Sequence, residues 1–135
     1  MRGIIYKIAT GEIMSIIDAP EDWIQLTVSE EESFLETNLV HQNLYYVVDD
    51  TTTLKPVQNT VLSALELTAN GTDSVTIINA PIGASCKIID SATEVLIVEG
   101  LIDGTDSFST DDPGIYKIKI ELFPYLPWEG VINAI

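Results

Sequence analysis

The sequence alternates most regularly at Ile115-Tyr116-Lys117-Ile118-Lys119-Ile120-Glu121-Leu122. Successive side chains of a β-strand point to opposite faces, so one face carries Tyr116, Ile118, Ile120 and Leu122 and the other carries Lys117, Lys119 and Glu121. The turn-forming residues Asp111-Asp112-Pro113-Gly114 come directly before it. The pattern predicts a half-buried strand that the chain enters through a sharp turn.

Shorter runs of the same kind lie on both sides of this strand, and turn signals recur about every 8–12 residues, as in β-sandwiches. No long segment has helical periodicity. We therefore expect an all-β fold, in which a short N-terminal β-hairpin/meander module is followed by a β-sandwich. The predicted strands are 3–9, 12–18, 23–28, 42–48, 65–68, 74–79, 85–90, 94–99, 106–110 and 115–122, with a turn at 49–53.

A domain boundary is expected at Pro56-Val57-Gln58-Asn59-Thr60, where the alternating pattern stops and then restarts. It divides the chain into an N-terminal β module, 1–57, and a β-sandwich, 61–135. Residues 29–37 have two interpretations. Ser29 and Glu32 match a capping box that begins a very short helix, and they equally suit an acidic turn that leads into a short strand.

The composition excludes several classes of partner. The chain has 135 residues, with 6 Lys+Arg against 21 Asp+Glu, which gives a net charge of −15. Nucleic acids and anionic membranes require clustered basic residues, so neither is an expected partner. We also expect no membrane span, because no apolar run reaches 18 residues, and no signal peptide, because the N-terminus lacks a long apolar segment.

The sequence predicts neither an enzyme nor a cofactor. Cys86 and His41 are the only cysteine and histidine, too few for a zinc site or for a convincing catalytic triad. No glycine-rich phosphate-binding loop is present. Weak candidates for calcium ligands are the acids of two loops, for which a solvated acidic rim is the simpler interpretation: Asp103, Asp106, Asp111 and Asp112.

Three aromatic residues are candidates for an interface: Trp23, Tyr125 and Trp128. Such side chains form a core, a contact between subunits or a platform for sugar rings, and all three interpretations are open here. Pro124 and Pro127 lack a backbone donor, so the segment around Tyr125 is expected at a sheet edge or a bend.

The order Asp112-x-Gly114-x-Tyr116 resembles the tyrosine corner of immunoglobulin-like domains. The resemblance covers about 61–135 and implies an immunoglobulin-like sandwich in which the Tyr116 hydroxyl bonds to the backbone. The Cys…Trp…Cys pattern of antibody domains is absent, so the resemblance is to domains without the pinning disulfide.

The arrangement of the whole chain resembles small virion proteins of tailed bacteriophages. In those proteins an N-terminal β module carries an immunoglobulin-like domain at the tail, the collar or the fibre attachment point. The motifs that carry the resemblance are Gly3-Ile4-Ile5-Tyr6, Thr10-Gly11-Glu12-Ile13, Leu44-Tyr45-Tyr46-Val47-Val48-Asp49, Thr68-Ala69-Asn70-Gly71-Thr72-Asp73-Ser74-Val75-Thr76-Ile77 and Pro124-Tyr125-Leu126-Pro127-Trp128-Glu129. A tight Asp-Gly hairpin is common after the Tyr-Val-Val strand there, whereas this chain has Asp49-Asp50-Thr51-Thr52-Thr53.

This resemblance implies a non-enzymatic structural protein, made in the host cytoplasm and located in the virion. Its partners would be further copies of itself, in a homo-oligomer, and other virion proteins. The alternatives are an adhesion module that binds a carbohydrate or cell surface, with a host surface glycan as ligand, and a capsid decoration protein.

Overall fold

A computed structural model describes residues 1–39, 41–103 and 105–135. About half of the chain is in strands, 49%, and 8% is helical, so the predicted all-β class is confirmed. The chain divides into two compact units, Met1–Pro56 and Val57–Ile135.

The first unit is built on a three-stranded antiparallel sheet. Its strands are β1 (Arg2–Lys7), β2 (Ile13–Asp18) and β3 (Glu32–Glu36), in the order β2-β1-β3. A separate hairpin pairs β4 (Tyr45–Val48) with β5 (Thr51–Leu54). The buried centre of this unit consists of Ile4, Tyr6, Ile13 and Val47.

The strand predicted at 23–28 is wrong, because Glu21–Thr27 forms a helix, α1. Pro20 precedes this helix with φ −57°, and the acids of its first turn suit the positive end of the helix dipole. Only Ile24 is buried there, whereas Leu26, which the strand pattern placed on the same face, is 88% exposed. The alternation of apolar residues in this short segment was therefore accidental.

For residues 29–37 the structure selects the strand. Glu32 begins β3, and its side-chain oxygen accepts a hydrogen bond of 3.3 Å from the Ser29 backbone N–H. This contact is one half of a capping box, formed here across a tight turn.

The turn predicted at 49–53 is present but shorter than predicted. Asp49 and Asp50 alone make the turn, with φ of 49° and 56°, and Thr51 already pairs with Val48 in the β4–β5 hairpin. Both positive φ values suit a two-residue hairpin, in which Asp is tolerated. The strand predicted at 42–48 begins only at Tyr45, because Gln42–Leu44 is a short 3₁₀ turn.

The second unit consists of two packed sheets. Their strands are β6 (Val61–Leu62), β7 (Glu66–Leu67), β8 (Val75–Ile78), β9 (Ala84–Asp90), β10 (Leu96–Ile102), β11 (Asp106–Phe108), β12 (Gly114–Glu121) and β13 (Trp128–Ala134). The larger sheet has the order β10-β9-β12-β13-β7, and the smaller sheet has the order β11-β8-β6. All neighbours are antiparallel except β13 and β7.

The core of this unit lies between the two sheets. Val75 and Phe108 of the smaller sheet belong to one buried cluster with Ile88, Ile118 and Ile132 of the larger sheet. The alternation that predicted β12 is present in the fold, because Tyr116, Ile118 and Ile120 are all buried. Strand β13 was not predicted, although alternate residues of its C-terminal half are buried.

Residues of the expected boundary belong to the second unit. Gln58 is buried, and its Nε2 donates to the carbonyl oxygens of Ile120 and Leu126 at 2.8 and 2.9 Å. Thr60 is also buried and donates its hydroxyl to Oε1 of Gln58 at 2.8 Å. These bonds fasten the start of the unit to the end of β12.

Candidate functional site

The structure keeps the predicted acidic residues at the surface. Asp103, Asp106, Asp111 and Asp112 are all exposed. Asp106 uses one carboxylate oxygen to accept the backbone N–H of Ser107 at 2.8 Å. Within 1–39, 41–103 and 105–135, no group of three or more His, Cys, Asp or Glu residues is placed to hold a metal ion.

Tyr116 makes the contact that the sequence motif predicts. Its hydroxyl donates a 2.7 Å hydrogen bond to the backbone carbonyl of Asp112, four residues upstream. Its ring packs on Phe108, with 5.1 Å between the ring centroids. Gly114 lies beside this ring, since a Cβ atom there would be 3.7 Å from it. Asp112, Gly114 and Tyr116 therefore hold the turn that leads into β12.

The predicted aromatic residues do not share one environment. Trp23 lies on α1 of the first unit and is 68% exposed. Tyr125 and Trp128 lie in the second unit and are half-buried, and Trp128 packs against the sandwich core. Trp128 is thus core in character, and Trp23 is the large aromatic side chain offered to solvent.

The remaining reactive side chains are a buried thiol and an exposed imidazole. Cys86 lies in the sandwich core, and burial, with a smaller contribution from the charge of Asp106, raises the pKa of its thiol. It is therefore protonated at neutral pH, which disfavours attack as a nucleophile. His41 is exposed.

The most unusual surface of the second unit is the free edge of its larger sheet, which the sequence did not single out. Strand β10 is the outermost strand there. Ile102 at its end is buried, but its other apolar side chains and the one just before the strand are between 44% and 79% exposed: Val95, Leu96, Ile97, Val98 and Leu101. We call these five residues, with Glu99 and Gly100, the apolar edge. The one sequence feature that marks the apolar edge is the unbroken apolar run 95–98. Such a run is typical of a strand that is covered on both faces.

The backbone of the apolar edge presents unpaired groups to solvent. The carbonyls of Ile102 and Val95 accept hydrogen bonds from Gly83 and Asp90 at 2.8 and 2.9 Å, so both face β9. A bulge at Ile97 lies between these two points. Because backbone groups of a strand alternate in direction, those of Glu99 and Leu101 point away from β9, toward the free edge.

A groove opens beside Gly100, between β10 and β11. It has a volume of about 100 Å³, and its walls include Cys86, Ile88 and Phe108. A Cβ atom at Gly100 would meet nothing within 4 Å. The sandwich is therefore not closed on this side, and apolar core side chains line the opening.

The larger sheet carries several of the few basic residues of this acidic chain. Glu99, the one acid in 95–102, lies 3.9 Å from the ammonium of Lys87. Lys117 forms a similar pair with Glu129 at 3.4 Å, and Lys119 lies directly opposite Lys87 on the same sheet. Three of the six basic residues thus lie on two adjacent strands of this sheet.

The comparisons with known proteins add no assignment. No protein family, no curated protein and no solved structure matches the chain. In the described part of the chain, no helix is long and apolar enough to cross a membrane.

Proposed function

We propose that this chain is a non-enzymatic structural component of a tailed-phage virion, a tail, collar or fibre-attachment protein that acts through contacts between subunits. The observation that carries the proposal is the apolar edge, an uncovered strand with five exposed apolar residues. A stable, soluble monomer normally protects such an edge with charges or proline. In a protein that joins other subunits, such an exposed edge can serve as a binding surface.

We further propose that the second unit is an immunoglobulin-like sandwich. Strands β11, β8 and β6 correspond to E, B and A of that fold, and β9, β12 and β13 correspond to C, F and G. In that correspondence Tyr116 lies near the start of F, the usual position of a tyrosine corner. The strand order of the two sheets and the tyrosine corner at Tyr116 are independent features, and both support the assignment.

The mechanism under this proposal is mechanical. The hydrogen-bonded ladder of β9, β12 and β13 provides a stiff element, and the exposed edge supplies the place where a neighbouring subunit attaches. Apolar contact is the suitable attraction for copies that each carry a charge of −15, because long-range electrostatics between them are repulsive.

The second candidate is an adhesion module that binds a carbohydrate at a cell surface. The exposed indole of Trp23 favours it, since exposed indoles stack on apolar faces of ligands. A capsid decoration protein is a variant of the structural proposal, with the same contacts at a different position on the particle.

The location of the chain in purified particles tests the proposal. Phage particles from a lysate that contains this chain would be banded by density, washed and labelled with an antibody against the chain. We expect several copies per particle, with label on the tail, the collar or the fibres. A chain present in the lysate and absent from washed particles would contradict the structural proposal.

Binding to intact host cells separates the two candidates. The adhesion module predicts that the chain binds host-cell surface polysaccharide, that Trp23→Ala abolishes this binding and that Leu101→Lys leaves it unchanged. If all three results are obtained, the adhesion module replaces the structural proposal. Leu101→Lys is the matched control, because Leu101 is also an exposed apolar side chain.

A further inference from the structure

We propose that β10 pairs antiparallel with β10 of a second copy of this chain, in the register that places Gly100 opposite Gly100. The larger sheets of the two copies would then form one continuous sheet, with five strands from each copy. This inference rests on the proposed function and deepens it, because it names one of the subunit contacts and its partner.

The area of the apolar edge suits a second copy. From their fractional exposures, its five apolar residues offer on the order of 500 Å² per copy, in the range of the largest apolar patch of a typical monomer, which is often functional. Pairing at the edge covers only part of this area, so a two-fold contact would bury at most roughly 1,000 Å² in total, near the lower bound for a specific interface. The shared backbone hydrogen bonds add to this contact without requiring further area.

A two-fold contact also requires that the edge be complementary to itself. In an isologous interface each residue of one copy meets its symmetry counterpart on the other. The outward backbone groups of Glu99 and Leu101 must pair with outward groups of the partner strand. This condition leaves three registers with a two-fold axis in this segment, centred on Glu99, Gly100 or Leu101.

The acidic residues select one of the three registers. Centring on Glu99 places the two Glu99 carboxylates directly opposite each other. Centring on Leu101 places Glu99 opposite Asp103 twice. Like charges at directly opposed positions destabilise a sheet, so both registers are disfavoured. Centring on Gly100 places Glu99 opposite Leu101 and Val98 opposite Ile102, with no acid facing another.

Gly100 itself suits the centre of that register. Its backbone groups face β9, so the Gly100–Gly100 position is one without shared hydrogen bonds, where the two Cα atoms approach to roughly 4.5 Å. Gly100 projects on the side of the open groove. The partner strand would cover that groove and shield the walls formed by Ile88 and Phe108 from water.

The register is testable by disulfide formation between single cysteines. Cys86→Ala removes the native thiol, which lies opposite Gly100 on β9 and would otherwise compete. In that background the variants Gly100→Cys, Glu99→Cys and Leu101→Cys would each be oxidised under native conditions. Only identical residues at the centre of the register are close enough to bridge, because Cα atoms more than about 7 Å apart do not form a disulfide without backbone movement.

We expect Gly100→Cys to form a covalent dimer at least about ten-fold faster than either neighbour, since only its two copies satisfy disulfide geometry. Faster dimer formation by Glu99→Cys or Leu101→Cys would overturn the proposed register. Failure of all three to form a dimer would overturn the pairing itself.

Sedimentation equilibrium of the intact chain supplies a second readout that needs no cysteine. Leu101→Glu should weaken the dimer at least about ten-fold, because it places a second carboxylate directly opposite Glu99 of the other copy, twice in the two-fold contact. Leu65→Glu is the matched control, since Leu65 is 70% exposed, against 79% for Leu101, and lies beside β7 at the opposite edge of the sheet. Equal weakening by both variants would contradict the proposal.

The two proposals fail separately. A monomeric chain that is nonetheless found in washed particles would overturn the strand pairing and leave the virion role standing. A Gly100-centred dimer that is absent from particles would support the pairing and overturn the virion role.

Discussion

The Tyr116 hydroxyl joins the turn at Asp112 to the central strand β12. The side chain is buried, its hydroxyl bonds the Asp112 carbonyl at 2.7 Å, and the Thr110 hydroxyl lies 3.4 Å away. One polar atom therefore orients both sides of a sharp chain reversal. Because Asp112 is itself exposed, water can hydrate its carbonyl when the tyrosine hydroxyl is removed.

We accordingly expect Tyr116→Phe to lower the free energy of unfolding by about 1 kcal/mol, the net value of one hydrogen bond whose acceptor remains accessible to water. Denaturant unfolding of the chain measures it. Tyr125→Phe is the control, because Tyr125 is half-buried and its hydroxyl has no hydrogen-bond partner among the contacts of the described residues. Equal losses in the two variants would refute the tyrosine corner.

The Cys86 thiol makes stability depend on pH in the alkaline range. Burial first, and the charge of Asp106 second, raise its pKa above the ordinary value of 9.0. The folded state therefore favours the protonated thiol. This contribution is fully present below the unfolded-state pKa and is lost as pH rises through the folded-state pKa.

The comparison of wild type with Cys86→Ala isolates this contribution, because the other titrating groups, including Tyr6 in the first unit, are common to both. We expect the stability advantage of wild type over the variant to shrink as pH rises above 9.0. Urea unfolding at several pH values measures it. An advantage that grows with pH would mean that the thiol is not held in its protonated form.

At the scale of elements, one glycine turn in each unit allows the strain of a positive φ to be distinguished from the steric overlap that a Cβ atom would cause. Gly11 and Gly83 both have positive φ, 79° and 84°. A Cβ atom at Gly11 would overlap the carbonyl oxygen of Val47, whereas one at Gly83 would meet nothing within 4 Å. Gly11 also accepts a 2.8 Å hydrogen bond from Val47, so it joins the first hairpin to β4.

Gly83→Ala should therefore cost only the strain of a left-handed residue, about 1–2 kcal/mol. Gly11→Ala should cost more than about 3 kcal/mol, because the hairpin must also move away from β4. Hydrogen exchange resolved along the chain assigns each loss to its unit. A smaller loss at Gly11 than at Gly83 would contradict the close approach of Gly11 to Val47.

The elements also show why the sequence predicted some parts of the fold and not others. The β12 strand was predictable because three apolar residues, Tyr116, Ile118 and Ile120, alternate with charges along it and a turn precedes it. The α1 helix was not, because seven residues with one buried side chain carry too little periodicity to distinguish 3.6 from 2. The turn at Asp49–Asp50 was predicted to extend to Thr53, because a run of three threonines after two acids is typical of a loop. In the structure these threonines pair with β4 as part of β5.

The candidate site was harder to predict than the fold. The Tyr116 contact followed from a local motif, because both partners lie within five residues. The apolar edge depends on which strand ends the sheet, and that is a property of the tertiary arrangement. The run Val95-Leu96-Ile97-Val98 reads the same in a covered strand and at a free edge.

At the scale of the whole molecule, the two units predict how the chain can be divided. The second unit begins at Val57, and Gln58 bonds two carbonyls of that unit. A fragment 57–135 should fold, whereas 61–135 should be less stable by about 1–3 kcal/mol, since the buried carbonyl of Ile120 and the part-buried carbonyl of Leu126 then lose their donor. Denaturant unfolding of the two fragments tests this, and equal stability would contradict the role of Gln58.

The charge of the whole chain determines how its assembly responds to salt. Each copy carries −15, so added salt screens the repulsion between copies and leaves apolar burial in place. Self-association through the apolar edge should therefore strengthen as ionic strength rises. Binding to a basic partner would have the opposite dependence, because salt then screens the attraction.

Sedimentation equilibrium of the intact chain at low and at high salt is thus the most direct test of the central claim, that this is a subunit built to associate through the free edge of its sandwich. The account predicts a dimer that tightens with salt and that Leu101→Glu weakens while Leu65→Glu does not. A monomer at every protein and salt concentration would contradict it.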